Sequence, residues 1–305
     1  MFPIIPANSA TAASGNDEGI FGFGSHAGGS YTAATNLVSN TGVVASDQAA
    51  VTGTVRQGLA GTQYGGDKGI FGFGEPGPYN VTNLVSNTGV VASDTAGVGT
   101  ARKMLAACSY GEDKGIFGFG RTGSRLSTTN LVSNAGVVAS DQAATTGTGR
   151  NGLAACEYGG DKGIFGYGQS GAPAIVAITN LVSNAGVVAS DQAAVTGTIK
   201  MGLAACSYGG DKGIFGYGEN AGGSLDEANL VSNTGVVASD SAGVGTTRQA
   251  PAACEFGGDQ GIFGFGYFGD YLSVTNLVSN AGVVASDQAA TTGTARYNLA
   301  ACSFN

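Results

Sequence analysis

The chain runs to 305 residues, with 13 basic and 21 acidic side chains and a formal charge of −8. It has no basic stripe to neutralise phosphates, so nucleic-acid binding has no electrostatic footing. No apolar run reaches the length of a bilayer-spanning helix, and membrane insertion is not expected.

In chain order, residues 1–15 read as an extended N-terminal arm, and residues 16–305 as one repeat domain. An Asp-Lys-Gly-Ile-Phe-Gly-Phe/Tyr-Gly segment, or a close variant, begins at Asp17, Asp67, Asp113, Asp161, Asp211 and Asp259, at intervals of 50, 46, 48, 50 and 48 residues. A second signature, Asn-Leu-Val-Ser-Asn-Thr/Ala-Gly-Val-Val-Ala-Ser-Asp, starts at Asn36, Asn83, Asn130, Asn180, Asn229 and Asn276. Repeats of this period signal solenoids or propeller blades.

Each unit predicts four short strands. The first follows a basic residue, as in Leu105–Tyr110 or Leu153–Tyr158. A Gly-Gly-Asp-Lys turn follows, because Gly accepts the positive φ of a tight hairpin. The second strand is Gly-Ile-Phe-Gly-Phe-Gly, whose alternation places Phe21 and Phe23 on one face, with Ile20, Gly22 and Gly24 on the other. The third runs from Thr35 to Ser39, Asn40 to Gly42 make a turn, and Val43 to Ser46 return as the fourth. Glycine interrupts every copy and no apolar stretch keeps a 3.6-residue period, so helix is disfavoured.

Four antiparallel strands in about 48 residues, six times over, predict an all-β, six-bladed β-propeller. The last copy leaves an unaccompanied first strand at residues 296–305, while the first copy lacks a strong one. The C-terminal strand is therefore expected to close the first blade, with Ser9 to Ser14 as the competing segment.

The five cysteines, Cys108, Cys156, Cys206, Cys254 and Cys302, occupy one repeat position, where Thr62 stands in the remaining copy. Their spacing is that of the repeat, which predicts buried free thiols instead of disulfides or a metal knuckle. The aspartates Asp47, Asp94, Asp141, Asp191, Asp240 and Asp287 end the fourth strands. The bases Arg56, Arg102, Arg150, Lys200, Arg248 and Arg296 follow them by eight or nine positions. A structural role is expected, with Asp capping a turn and the base anchoring the next blade; which base meets which Asp stays open. The Asp before Gly-Ile-Phe is expected to fix its turn through a local Asx-type bond.

No Gly-rich segment opens a helix in a βαβ unit, and the single histidine, His26, lies in a variable loop and reads as a surface residue. No repeated histidine exists to activate the recurrent serines. Neither a metal nor a cofactor is expected, and the chain reads as non-catalytic.

Variation concentrates between the second and third strands. These loops carry Tyr31, Tyr79, Arg121, Arg125, Asp226, Tyr267, Phe268, Asp270 and Tyr271 over a nearly constant framework. Aromatic and charged groups on one rim of a rigid scaffold are a common basis for recognition, and they are the candidate binding residues. The alternative is a glycan-active enzyme using Asp226 and Asp270 across a central cleft.

The repeats at 65–74, 82–94, 159–168, 209–218 and 228–240 resemble tandem copies found in proteins of marine and freshwater bacteriophages, and the opening residues resemble the start of phage tail or fibre proteins. The basic residue, glycine-rich second strand and period also resemble kelch-type blades, although the tryptophan of that pattern is missing. The phage resemblance implies a virion component assembled in the host cytoplasm. Its implied partners are other virion proteins, further copies of the chain, and a host cell-surface glycan or protein.

Overall fold

A computed structural model describes residues 17–48, 53–142, 147–171, 174–192, 196–288 and 293–304. The N-terminal arm and the Ser9 to Ser14 segment lie outside these residues. The described chain is all-β apart from one short 3₁₀ turn, Ala27–Gly29.

Six principal sheets each hold three antiparallel strands. Sheets II to VI begin with Ala60–Tyr64, Ala106–Tyr110, Ala154–Tyr158, Ala204–Tyr208 and Ala252–Phe256. In each, the second strand is the Gly-Ile-Phe-Gly segment, and the third carries the Asn-Leu-Val signature. Sheet I is assembled from both ends of the chain: Ala300–Phe304 pairs with Glu18–Gly22, which pairs with Thr35–Val38. In sheet I Cys302 faces Ile20, which faces Leu37. In sheet IV Cys156 faces Ile164, which faces Leu181.

The expected fourth strand is reduced. In each unit it touches the third through isolated bridges only, such as Thr35 with Gln48 and Val38 with Val44. A side chain replaces part of the ladder: Asn36 Nδ2 donates to Ala45 O at 3.0 Å and to Asp47 Oδ1 at 2.9 Å. Asn83, Asn130, Asn180, Asn229 and Asn276 repeat both bonds.

A second departure concerns the phenylalanines. Phe21 and Phe23 pack in different clusters, Phe21 with Ile262 and Phe265, Phe23 with Ile20 and Phe71. Alternation fails because Phe23 adopts φ 65°, and Phe73, Phe119, Tyr167, Tyr217 and Phe265 share this left-handed backbone at 62–67°. Such a conformation costs an aromatic residue of the order of 1 kcal/mol or more, so the surroundings must hold it. They do so with a buried cation: the Arg56 guanidinium carbon lies 4.3 Å above the Phe23 ring, and every copy repeats the pairing.

Contacts between sheets run in cyclic order. Gly22, on sheet I, faces the Phe71 ring of sheet II, where a Cβ would lie 3.1 Å from the ring tip. Gly72, Gly118, Gly166, Gly216 and Gly264 meet Phe117, Phe165, Phe215, Phe263 and Phe21 in turn. A second cycle is made of backbone hydrogen bonds just ahead of the first strands. Met104 N donates to Gly58 O, Gly152 to Met104, Gly202 to Gly152, Ala250 to Gly202, Asn298 to Ala250 and Gly58 to Asn298, at 2.6–3.0 Å. Both cycles return to their starting sheet.

Candidate binding face

The six bases are fully buried, and each belongs to the sheet that it precedes. Arg56 donates from Nε to Phe73 O at 2.8 Å, from Nη2 to Asn83 Oδ1 at 2.6 Å and from Nη1 to Thr54 O at 3.1 Å. Its carboxylate is Asp94, at 3.7 Å, with Asp191 for Arg150, Asp240 for Lys200 and Asp47 for Arg296. The pairing is therefore between a base and the aspartate that ends its own sheet, about 40 residues later in the continuous sheets and across the two chain ends for Arg296 and Asp47, not the one eight or nine before. Asp141 is likewise the charge acting on Arg102, and Asp287 on Arg248. Each aspartate caps the incoming connection and not its own turn: Asp94 accepts from Thr54 N at 2.9 Å and from Thr54 Oγ1 at 2.6 Å.

Burial pulls the Arg56 pKa down to about 10 against the opposing charge of Asp94, which leaves it protonated at neutral pH. For Asp94 burial acts upward, but hydrogen bonds from Thr54 and Asn83 and the Arg56 charge outweigh it and hold the carboxyl below its ordinary value.

The five cysteines are free and buried. Each Sγ stands within 2.6 Å of where a Cβ would sit on a glycine of the following sheet: Cys108 over Gly163, Cys156 over Gly213, Cys206 over Gly261, Cys254 over Gly19 and Cys302 over Gly69. Desolvation pushes all five thiols up, which opposes thiolate chemistry,.

The turn aspartates reach further than a local Asx bond. Asp113 pairs with Lys114 at 2.5 Å and accepts from Asn134 Nδ2 at 2.9 Å, tying the first hairpin turn to the second. Asp161, Asp211 and Asp259 accept from Asn184, Asn233 and Asn280 in the same way.

Opposite these turns lies the face that carries the variable loops. Each connection into a sheet is bridged to a variable loop: Gln57 with Glu75, Lys103 with Arg121, Asn151 with Gln169, Met201 with Glu219, Gln249 with Tyr267 and Tyr297 with Ser25. Connections and loops therefore form one rim. Within it sits a cavity of about 360 Å³. Its floor includes Leu59, Leu105, Leu153, Leu203, Pro251 and Leu299, and Asn151, Glu219, Gln249, Tyr297 and Asn298 supply polar groups above them. That size lies within the range of small-molecule pockets. The Gln249 amide, turned to satisfy both partners, donates to Glu219 at 2.5 and 2.7 Å.

Several predicted rim residues converge beside this cavity. Tyr267 and Tyr271 have ring centres 5.6 Å apart, and Tyr297 stands 5.6 Å from the first and 5.4 Å from the second. Tyr31 shares the small sheet of Ser25 and Tyr297. Phe268 and Asp270 are exposed at the tip of the same hairpin, and Asp270 Oδ1 accepts from Tyr271 N at 2.8 Å. His26 is half-buried in the paired segment Ser25–His26. Arg125 is engaged elsewhere, donating to Gln169 Oε1 at 2.6 Å. Tyr79, Arg121 and Asp226 are half-buried on the other outer hairpins. Neither Asp226 nor Asp270 lines the cavity, and Glu219 is the one carboxylate that does so among the described residues.

Tyr297 and the polar ring before the first strands escaped the sequence reading, because they belong to the repeat framework and not to the variable loops. Aligning the residue just after each basic position (Gln57, Lys103, Asn151, Met201, Gln249 and Tyr297) exposes the signal: this is the most changeable site in an otherwise constant segment.

No protein-family model and no curated protein sequence matches the chain.

Proposed function

We propose that the chain is a closed six-bladed β-propeller acting as a non-catalytic binding module, whose loop face takes a short segment of a cell-surface glycan. The carrying observation is the Tyr267–Tyr271–Tyr297 triad at the edge of the 360 Å³ cavity. Tyrosine rings offer flat apolar faces for sugar C–H surfaces, and hydroxyl and amide groups nearby supply hydrogen bonds. The cyclic Gly–Phe contacts and the six-membered hydrogen-bond circuit support the propeller. They also hold the rim on rigid elements, which favours recognition over induced rearrangement.

Hydrolysis would require two carboxyls about 5–10 Å apart across the scissile bond; among the described residues Glu219 is the single carboxylate on the cavity, which favours binding over hydrolysis. The virion setting rests on the resemblance of the repeats to phage proteins. In such an appendage, several copies would add avidity to weak single-site binding.

The test is equilibrium binding of the purified chain to a glycan panel and to host cells, with a Tyr267→Ala/Tyr271→Ala variant of unchanged melting temperature. Loss of about tenfold or more in affinity supports the site, since aromatic anchors dominate such interfaces. Equal binding by the variant, or no binding to any glycan, overturns it. Absence of the chain from purified virions would remove the phage setting alone.

A further inference from the structure

The 13 basic side chains have unequal duties. Six are the buried bases, and Lys68, Lys114, Lys162 and Lys212 pair with the aspartates of their own turns. The remaining three, Lys103, Arg121 and Arg125, stand together on the loop face. Lys103 is bridged to Arg121 and Arg121 to Arg125, so the three form one row across the rim of sheet III. Directly opposed residues of antiparallel strands hold their Cβ atoms about 4.5–5.5 Å apart, and like charges so placed repel. The corresponding bridges of other sheets join neutral, acidic or aromatic residues, as in Gln57 with Glu75, Met201 with Glu219 and Gln249 with Tyr267.

The protein itself answers little of this charge. Lys103 pairs with Glu75, whose carboxylate also accepts from Gln57 Nε2 at 2.9 Å. Arg125 donates from Nη2 to Gln169 Oε1 at 2.6 Å, and that acceptor is neutral. Arg121 makes no side-chain hydrogen bond and no ion pair among the described residues, and the Nε of each arginine is buried without a partner. All three cations remain partly exposed, and the exposed turn residues Gly123 and Ser124 lie between the two arginines. Two adjacent guanidiniums with no carboxylate on either lower stability, which is a cost that a bound anion would remove.

The row also adjoins the cavity already described. Met104, the residue after Lys103, is part of the cavity lining, so the cations run outward from its mouth. In the cyclic order of the sheets, sheet III is three steps from sheet VI, which carries Tyr267 and Tyr271.

We propose that Arg121 and Arg125, with Lys103 beside them, form a subsite for an acidic group on the bound glycan, the carboxylate of a uronic acid or a sulfate ester. This assignment rests on the reading of the loop face as a glycan site. Each guanidinium presents a planar fork of donors that matches paired anionic oxygens, and such charge-assisted bonds are the strong ones. A glycan fits better than an acidic peptide, because the adjoining cavity and tyrosine rings offer contacts to sugar faces. No further Lys or Arg is free on the rim to meet a run of carboxylates.

The experiment is equilibrium binding of the full chain to three oligosaccharides of equal length, one neutral, one carrying uronic acids and one carrying sulfate esters, beside an oligoglutamate peptide. Each titration is run at low and at high salt, and repeated with Arg121→Gln/Arg125→Gln and with Tyr267→Ala/Tyr271→Ala. We expect an acidic oligosaccharide to bind about tenfold or more tighter than the neutral one at low salt. That advantage should shrink at high salt as screening sets in. It should vanish in the arginine variant, whose melting temperature is unchanged or higher, whereas the tyrosine variant weakens all three oligosaccharides together. The tighter of the two acidic oligosaccharides identifies the group. Equal affinity for neutral and acidic oligosaccharides, or an advantage that the arginine variant keeps, overturns the subsite and leaves the glycan reading standing. An advantage lost in the arginine variant, with no effect of the tyrosine variant, supports the subsite and overturns the tyrosine site alone. Equal or tighter binding of oligoglutamate assigns the row to an acidic protein segment and overturns the proposal. No binding of any oligosaccharide overturns it together with the glycan reading.

Discussion

Sheets I and IV build the same object from different covalent material. Sheet IV is one continuous stretch, Ala154 to Val182, while sheet I pairs residues about 280 positions apart. The registers match strand for strand. The charge pairs match too, Asp191–Arg150 at 3.8 Å and Asp47–Arg296 at 3.4 Å. Arg296 also sits 4.4 Å over the Phe265 ring, as Arg150 sits 4.3 Å over Phe119. Native contacts therefore do not depend on chain continuity. What differs is the unfolded state, because closing a longer loop adds only (3/2)RT ln n to the cost of ordering.

The strongest way to break the comparison is to delete residues 296–304. Leu299, Ala300, Ala301, Cys302 and Phe304 are buried, and their loss also uncovers Ile20 and Phe71. Together these are worth about 5–10 kcal/mol, comparable to the whole stability of a domain. We expect no cooperative unfolding transition by circular dichroism, whereas a comparable shortening of the outer loop at residues 121–127 keeps one. Equal melting temperatures would contradict the closing role of this strand.

Replacing a buried base should cost nearly as much at the seam as away from it. Arg150→Met and Arg296→Met each remove a guanidinium that satisfies an asparagine, a carbonyl and an aspartate, a loss of about 3–5 kcal/mol. Chemical denaturation of both variants measures the two losses, and a much smaller one for Arg296 would mean that the seam is looser than sheet IV.

Packing offers a finer comparison. A Cβ on Gly19 would lie 2.6 Å from Cys254 Sγ, and one on Gly163 would lie 2.5 Å from Cys108 Sγ. Gly19→Ala and Gly163→Ala should each destabilise by about 1–3 kcal/mol. The second changes, Cys254→Ala and Cys108→Ala, should return part of that. A double-mutant cycle without coupling at Gly19 would place sheets VI and I further apart than the structure has them.

pH separates the axial carboxyls from the outer charge pairs. Burial where the first strands converge pushes the folded-state values of Glu157 and Glu255 up to about 7 and about 8, so their contribution is fully present in acid and lost as pH rises through those values,. The six strand-ending aspartates are held low, so their contribution is lost as pH falls through their depressed values. Stability should peak near about pH 5 and decline toward about pH 8. Glu157→Gln/Glu255→Gln should flatten the decline in melting temperature, and a slope unchanged by the substitutions would exclude these groups as its source.

The smallest effect concerns Lys200, which occupies an arginine position. Its Nζ lies 5.5 Å from the Tyr167 ring centre, where Arg248 approaches Tyr217 to 3.7 Å. Lys200→Arg should raise stability by up to about 1 kcal/mol, since the planar fork adds donors and ring stacking. A fall in melting temperature would show that the pocket has adapted to lysine.

The sequence by itself determined six units, the positions of their first three strands and both hairpin turns, because repeat period, glycine placement and alternation are local properties. The run of small and aromatic residues in Gly-Ile-Phe-Gly-Phe-Gly likewise announced close approach by a neighbouring sheet. Only tertiary structure decided the rest. The backbone turns left-handed at Phe23 because a buried arginine from the next sheet covers its ring, and alternation knows nothing of that cation. The fourth strand fades because Asn36 supplies hydrogen bonds that a ladder would otherwise make. Asp94 serves Arg56, and not the nearer Arg102, because the sheet folds its end back over its own entry, and distance along the chain does not encode that return. Glu157 and Glu255 drew no notice in their separate repeats; they line one small cavity only because the first strands converge there.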